Sequence, residues 1–195
     1  MKYPRFWIES SIRRKRVYSI IAVFVLAIFV TILGLLIPPS PQEAQLVYNQ
    51  LNQTLSQGRA HNTLVPDIFL NNFMISLIMF VPIAGFGLGM FILFTSGQAF
   101  RAIFDIQAAS GAANASSANI SPATAAGLLA LVFIVFLVEF VSYSIAMTES
   151  IWLFRRLLQR RWRDELKPLL ILIGIVALLL IIGAIVETYT VTLPI

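Results

Sequence analysis

The sequence contains no cysteine, a single histidine and few charged residues. Without cysteine, disulfides, thiolate metal sites and cysteine nucleophiles are excluded. The histidine, His61, lies in a polar stretch, whereas a metal site needs three or four converging ligands. The sequence also lacks a Ser-His-Asp, Ser-Lys or paired-aspartate arrangement, a Walker motif and a metal-ligand cluster. We therefore expect a protein that is not an enzyme, with no catalytic residues, no metal site and no cofactor.

Charged residues make up 12% of the chain and hydrophobic residues 58%, with a mean hydropathy of +0.86. A soluble domain with a water-facing surface could hardly have this composition, so we expect an integral membrane protein. The net charge of +5 comes mostly from residues 2–16 and 155–167. Charge clustered beside apolar segments indicates membrane orientation, and we expect no nucleic-acid partner.

The chain begins with a basic arm, residues 1–16, followed by an apolar run at 17–37. The run is too long for the hydrophobic part of a signal peptide, and "PPSPQEAQ" follows it in place of a small-residue cleavage site. We interpret it as an uncleaved signal anchor. The positive-inside rule then predicts that the arm is cytoplasmic.

The loop at 38–65 is expected outside and contains a helix-start signal. Ser40 precedes Pro41, and Glu43 follows three residues after Ser40, which is the pattern of a capping box. We predict a short external amphipathic helix over 41–57 that ends at Gly58. It would lie on the bilayer, lie on the protein's own bundle or dock a partner.

The apolar region 68–100 has no charged residue and is too long for one span of roughly 20 residues. It could be a hairpin, a re-entrant element or one very long helix. A second long apolar region runs from 125 to 154. Residues 38–65 are expected outside and the basic segment 155–167 inside, so the regions 68–100 and 125–154 must together cross the membrane an odd number of times. "PIAGFGLG" at 82–89 favours a break in the first region.

These considerations predict an all-α polytopic transmembrane helical bundle in the cell membrane, with about five spans and a cytoplasmic N-terminus. The bundle forms a single domain over 17–195. The predicted spans are 17–37, 68–84, 86–104, 125–154 and 168–187. The loop 105–124 would be outside and the basic loop 155–167 cytoplasmic, forming an interfacial helix with Trp162 at the lipid boundary and binding anionic headgroups. The N-x-S/T sequons at Asn52 and Asn114 would be outside, as candidate glycosylation sites.

Glu139 lies inside an apolar run, where an ionisable residue is a functional candidate because a charge in lipid is costly. At 100° per residue, Ser142, Tyr143, Ala146 and Ser150 share its helix face, and Glu149 lies at the edge of that stripe. Its candidate partners are Asn71, Asn72, Arg101, Tyr143 and the amides near a broken helix. Glu139 could fix helix packing through hydrogen bonds, handle ions or protons, or bind a partner. Glu187, at the end of the last span, completes the candidate polar cluster.

The order of these features resembles the stage II sporulation protein M family of multi-pass membrane proteins, over most of the chain after residue 68. In that family an Asn-Asn-like pair opens a span that continues through spaced glycines to an Asn-Gly element. A Pro-His-Gly-x-x-Glu signature and a late Glu-x-Tyr near a Thr follow. The matching positions here are Asn71, Asn72, Gly85, Gly89, Ser96, Gly97, Glu139, Glu187, Tyr189, Thr190 and Thr192. Of the Pro-His-Gly-x-x-Glu signature only Glu139 is present.

The resemblance implies a non-catalytic membrane component, which in spore-forming bacteria works with partner proteins in remodelling the septal membrane and cell wall. From the residues and the resemblance together, two functions stay open. The first is a subunit or scaffold of a membrane complex that assembles with other membrane proteins or as a homo-oligomer. The second is a small permease-like transporter or channel component in which Glu139, Arg101 and the asparagine pair line a path.

Overall fold

The computed structural model of the protein describes residues 9–109 and 122–192, and all regular structure within these ranges is helical. The six α-helices are α1 Ile12–Leu36, α2 Pro41–His61, α3 Leu64–Met79, α4 Ala84–Ala109, α5 Pro122–Leu158 and α6 Leu166–Thr192. A single 3-10 turn, Trp162–Glu165, precedes α6. Four helices, α1, α4, α5 and α6, are long and apolar enough to cross a bilayer. The prediction of an all-α, multi-pass membrane protein is thereby confirmed.

The helix α1 begins within the basic arm, five residues before the predicted span. The Ser11 side chain accepts a hydrogen bond from the Arg14 amide at 3.4 Å and caps the first turn. The basic residues 13–16 therefore lie on the helix and not in a separate arm. Arginine and lysine favour the helix, so it continues through them, and Arg16 forms ion pairs with Glu149 and Glu165, as described below.

A helix is present, as predicted, after Ser40, and it is α2, with its capping box confirmed. The Ser40 amide donates to Glu43 Oε2 at 2.9 Å, while the Glu43 amide donates to Ser40 Oγ at 3.3 Å. The predicted stop at Gly58 is wrong, because the helix continues to His61. The left-handed residue that ends it is Asn62, with φ 55°, and Gly58 is instead buried against Leu64.

The predicted break in the region 68–100 lies at residues 80–83, at the start of the "PIAGFGLG" stretch. The helix α3 has only 16 residues, shorter than the predicted span 68–84, and α4 runs longer than the predicted span 86–104. Ile83 has φ 57°, a left-handed conformation that is strained for a β-branched residue. The turn is bound to α5, since Ser150 Oγ donates to the Val81 carbonyl at 2.6 Å and the Ile83 amide donates to the Ser150 carbonyl.

The helix α5 lies at the centre of the bundle, with residues 142–150 continuously buried. It extends to Leu158 and so includes the first two arginines of the predicted cytoplasmic loop 155–167. The interfacial helix predicted for that loop is absent: Arg160 adopts φ 55°, the Arg161 amide bonds the Arg156 carbonyl, and one 3-10 turn follows. These bonds form a Schellman-type end, which stops α5 before a separate basic helix can form.

Contacts fix the directions of the helices. Phe24 packs against Phe140, and Arg16 pairs with Glu149, so α1 and α5 are antiparallel. By similar contacts, α1, α4 and α6 run one way while α3 and α5 run the other. We call one end of the bundle the basic end, where α1 starts, the 80–83 turn lies and α5 connects to α6. The opposite end, where α2 lies, is the α2 end.

Candidate functional site

The first candidate site is an acidic cluster formed by Asn72, Glu139, Tyr143 and Glu187. Asn72 on α3 donates a hydrogen bond from Nδ2 to Glu139 Oε1 on α5, at 2.6 Å. Tyr143 is buried one helical turn from Glu139. Glu187 on α6 lies one helical turn after Gly183, where a Cβ would lie 3.6 Å from Val138, the residue before Glu139. Three helices thus bring together four of the side chains that the sequence singled out.

The acidic cluster lies near the middle of the bundle. Glu139 is ten residues from Glu149 along α5, which corresponds to about 15 Å of helix. Asn72 is eight residues from the start of α3, or about 12 Å. Within the described ranges, no arginine or lysine forms an ion pair with Glu139 or Glu187. The principal polar contact of Glu139 is therefore the Asn72 amide, which also ties α3 to α5.

The other residues predicted for this cluster lie elsewhere. Arg101 forms an ion pair with Asp105 one turn along α4, from Nε to Oδ2 at 2.7 Å, and does not contact Glu139. Asn71 is exposed and donates to Asn72 Oδ1 at 3.2 Å, so it supports the cluster only indirectly. The Ser142 hydroxyl donates to the Val138 carbonyl of its own helix. Asn52 is exposed on α2, and Asn114 lies outside the described residues.

A second polar site, at the basic end, was not predicted. We call it the ion-pair network, and it consists of Arg16, Glu149, Arg156 and Glu165. Arg16 on α1 pairs with Glu149 on α5 at 3.4 Å and with Glu165 before α6. Arg156 Nε donates to Glu165 Oε1 at 2.8 Å. Both carboxylates are almost fully buried, and their side chains are only 2% and 4% exposed.

The ion-pair network joins α1, α5 and the connection to α6. A buried carboxylate left without a partner would be costly, so each of the two acids needs the arginines beside it. Arg16 also lies over the Trp152 ring, 5.3 Å from its centroid, in a cation–π contact. The sequence signal that could have revealed the network is the position of its two acids. Glu149 follows a long apolar run, and Glu165 lies inside the basic segment 155–167. From the sequence alone, Arg16 was only one of the basic residues that indicate membrane orientation. Glu149 was only a residue at the edge of the helix face that carries Glu139.

Two of the three glycines at 85–89 have a packing role. A Cβ at Gly85 would lie 2.1 Å from the Met79 carbonyl oxygen, and one at Gly89 would lie 2.5 Å from the Met147 sulfur. Gly87 has open space around it. The glycines thus allow α4 to approach α3 and α5 closely.

The chain matches no protein-family model, no curated protein sequence and no solved structure. The similarity to the stage II sporulation protein M family stays a prediction from the motifs.

Proposed function

We propose that the protein is a non-catalytic subunit or scaffold of a complex in the cell membrane. The observation that carries this proposal is that buried polar groups connect one helix to another at three places. Asn72 and Glu139 join α3 to α5, Ser150 holds the 80–83 turn, and the ion-pair network joins α1, α5 and the 3-10 turn before α6. Polar groups used in this way fix one arrangement of the bundle, which suits a rigid assembly component.

We further propose five spans with a cytoplasmic N-terminus. Although α3 is short, the turn after it contacts Ser150, next to Glu149, which pairs with Arg16. The turn thus reaches the depth of the first basic cluster, which supports a complete crossing. Basic residues 13–16 and the basic segment 155–167 both lie at the basic end, and the positive-inside rule favours placing that end in the cytoplasm.

The surfaces available to a partner lie at the two ends. On α2, Ala44 is buried while Leu46 is 68% exposed. An exposed leucine on a mostly polar external helix is suited to a contact with another membrane protein or a second copy. At the basic end, the exposed arginines 155, 160, 161 and 163 are suited to anionic headgroups. The motif resemblance favours a role in remodelling the membrane or envelope.

The test is gentle purification of the tagged protein from its native membrane, with identification of the chains that migrate with it. We expect one or more membrane proteins to co-purify, and Leu46→Asp to release them. Gln53→Asp adds the same charge at another exposed position of α2 and should retain them. The proposal is wrong if the protein is recovered only as a homo-oligomer whose proton-coupled flux is abolished by Glu139→Gln.

The acidic cluster favours a second candidate function, that of a small transporter or channel component. Two carboxylates near mid-bundle without a bonded cation among the described residues could take up a proton or a cation. Purified protein in liposomes would then conduct protons or cations, and Glu139→Gln would abolish the flux. Absence of flux, or flux unchanged by that substitution, would exclude this function.

A further inference from the structure

A cavity of about 580 Å³ lies at the basic end, between α1, α5 and the start of α6. Its polar lining comes from Arg13, Arg16, Thr148, Glu149 and Glu165. Its volume falls within the range of about 300–1,000 Å³ that is typical of small-molecule sites. The ion-pair network therefore forms part of the wall of a ligand-sized cavity.

Three polar atoms in this wall are buried and lack a hydrogen-bond partner within residues 9–109 and 122–192. They are Arg16 Nε, Thr148 Oγ1 and Glu149 Oε1. Buried polar groups in folded proteins are nearly always hydrogen-bonded, because leaving one unpaired carries its full desolvation cost. The side chains that line the cavity thus hold an unused cationic donor, an unused hydroxyl and an unused carboxylate acceptor.

The remainder of the cavity wall is apolar. Ile20, Ile145 and Leu172 line it, and at its margin Val17 and Ile171 are each 53% exposed on the bundle's outer surface. In a bilayer that outer surface would contact acyl chains. A ligand that fits the whole cavity therefore has a polar head with both a donor and an acceptor, joined to a hydrocarbon tail.

We propose that this cavity binds the headgroup of a phosphatidylethanolamine from the leaflet at the basic end. The ammonium group would donate to Glu149 Oε1, and the phosphate would accept from Arg13 and Arg16. Charge-assisted hydrogen bonds of this kind are stronger than neutral ones. Phosphatidylcholine has the same net charge, but its quaternary ammonium has no N–H to donate. Phosphatidylglycerol offers only neutral hydroxyls to the Glu149 carboxylate.

The proposal is tested with the full-length protein in an equimolar mixture of the three lipids with identical acyl chains. Bound lipids are identified by native mass spectrometry. We expect one phosphatidylethanolamine per chain, enriched over phosphatidylcholine on the order of tenfold. Equal retention of the two lipids, or a preference for phosphatidylglycerol, would overturn the proposal.

Variants locate the bound lipid. Glu149→Gln should remove the preference for phosphatidylethanolamine, whereas Asp105→Asn, an exposed carboxylate paired with Arg101 on α4, should keep it. Should Glu149→Gln fail to fold, Ile171→Trp narrows the cavity without touching an ion pair and should reduce lipid retention. A folded Glu149→Gln or Ile171→Trp protein with unchanged retention would contradict the assignment. These results do not depend on whether the protein is a complex subunit.

Discussion

At the residue scale, the Asn72–Glu139 hydrogen bond is the direct link between α3 and the centre of the bundle. We expect Glu139→Gln to be tolerated, because its amide oxygen can still accept from Asn72. Glu139→Leu should lower the free energy of unfolding by about 1 kcal/mol, since it leaves the Asn72 amide without its acceptor. Thermal unfolding in detergent measures both.

Asn71 provides the matched control for this bond. Asn72→Ala should lower the melting temperature more than Asn71→Ala, because only Asn72 reaches α5. Equal melting temperatures for the wild type, Glu139→Gln and Glu139→Leu proteins would show that the bond does not stabilise the bundle.

Ile83 carries backbone strain in the turn between α3 and α4, with φ 57°. Glycine adopts this conformation without a Cβ penalty, at the cost of greater freedom in the unfolded chain. We expect Ile83→Gly to raise the free energy of unfolding by about 0.5–1 kcal/mol. Ile83→Ala keeps the Cβ and removes only the branch, so its gain should be smaller. If the melting temperature of Ile83→Gly is equal to or below that of Ile83→Ala, the turn is not strained.

At the scale of elements, α1 and α4 approach each other through glycines. A Cβ at Gly97 would lie 2.1 Å from the Thr31 carbonyl oxygen, and one at Gly34 would lie 2.0 Å from the Phe94 carbonyl oxygen. Gly97→Ala should therefore force the helices apart and cost about 1–3 kcal/mol of unfolding free energy. Thermal unfolding in detergent is again the measurement.

Gly87, on the same helix, is the control for this substitution. A Cβ there would meet no atom within 4 Å. Gly87→Ala should be neutral or stabilising by up to about 1 kcal/mol, because alanine favours the helix. Similar losses from Gly87→Ala and Gly97→Ala would contradict the close contact between α1 and α4.

The first turn of α2 should be sensitive to acid. Hydrogen bonds from the Ser40 hydroxyl and then from its amide lower the pKa of Glu43 below its ordinary value of 4.5. The folded-state pKa is lowered, so the stabilising contribution is present above 4.5 and is lost as the pH falls through the lowered pKa. Protection factors from hydrogen exchange should fall over that window in this turn. Glu43→Gln should remove the pH dependence; a step that persists would assign it to another group.

At the scale of the whole molecule, the five-span arrangement predicts which end each surface faces. The chain has no cysteine, so single cysteines can be introduced without a background. In intact cells, Asn52→Cys on α2 and Asn114→Cys should react with an impermeant thiol reagent, while Arg161→Cys should be protected. After permeabilisation Arg161→Cys should become labelled, which controls for its reactivity. Protection of Asn52→Cys with labelling of Arg161→Cys would show the reverse orientation. Protection of Asn114→Cys alone would favour one crossing by the region 68–100 and two crossings by the region 125–154.

Local features of the sequence were sufficient to predict the class of protein and the positions of several helices. The long apolar runs, the capping box at Ser40 and the break beginning near Pro82 depend on hydropathy and on neighbours within a few residues. Helix ends were less predictable. Gly58 continues its helix because it packs on Leu64, and the basic segment after Arg155 is divided by the end of α5 and a 3-10 turn.

Hydropathy and helical periodicity alone are enough to predict an apolar, multi-pass helical protein with a carboxylate, Glu139, on a small and polar helix face. Which groups meet is known only from the folded bundle: Asn72 and not Arg101 donates to Glu139, and Arg16 pairs with the buried carboxylate of Glu149. Helical periodicity specifies the face on which a residue lies, but it does not specify which distant helix packs there or at what height. Those two choices depend on the packing of the whole bundle, because residues far apart in the chain must reach the same depth and face each other.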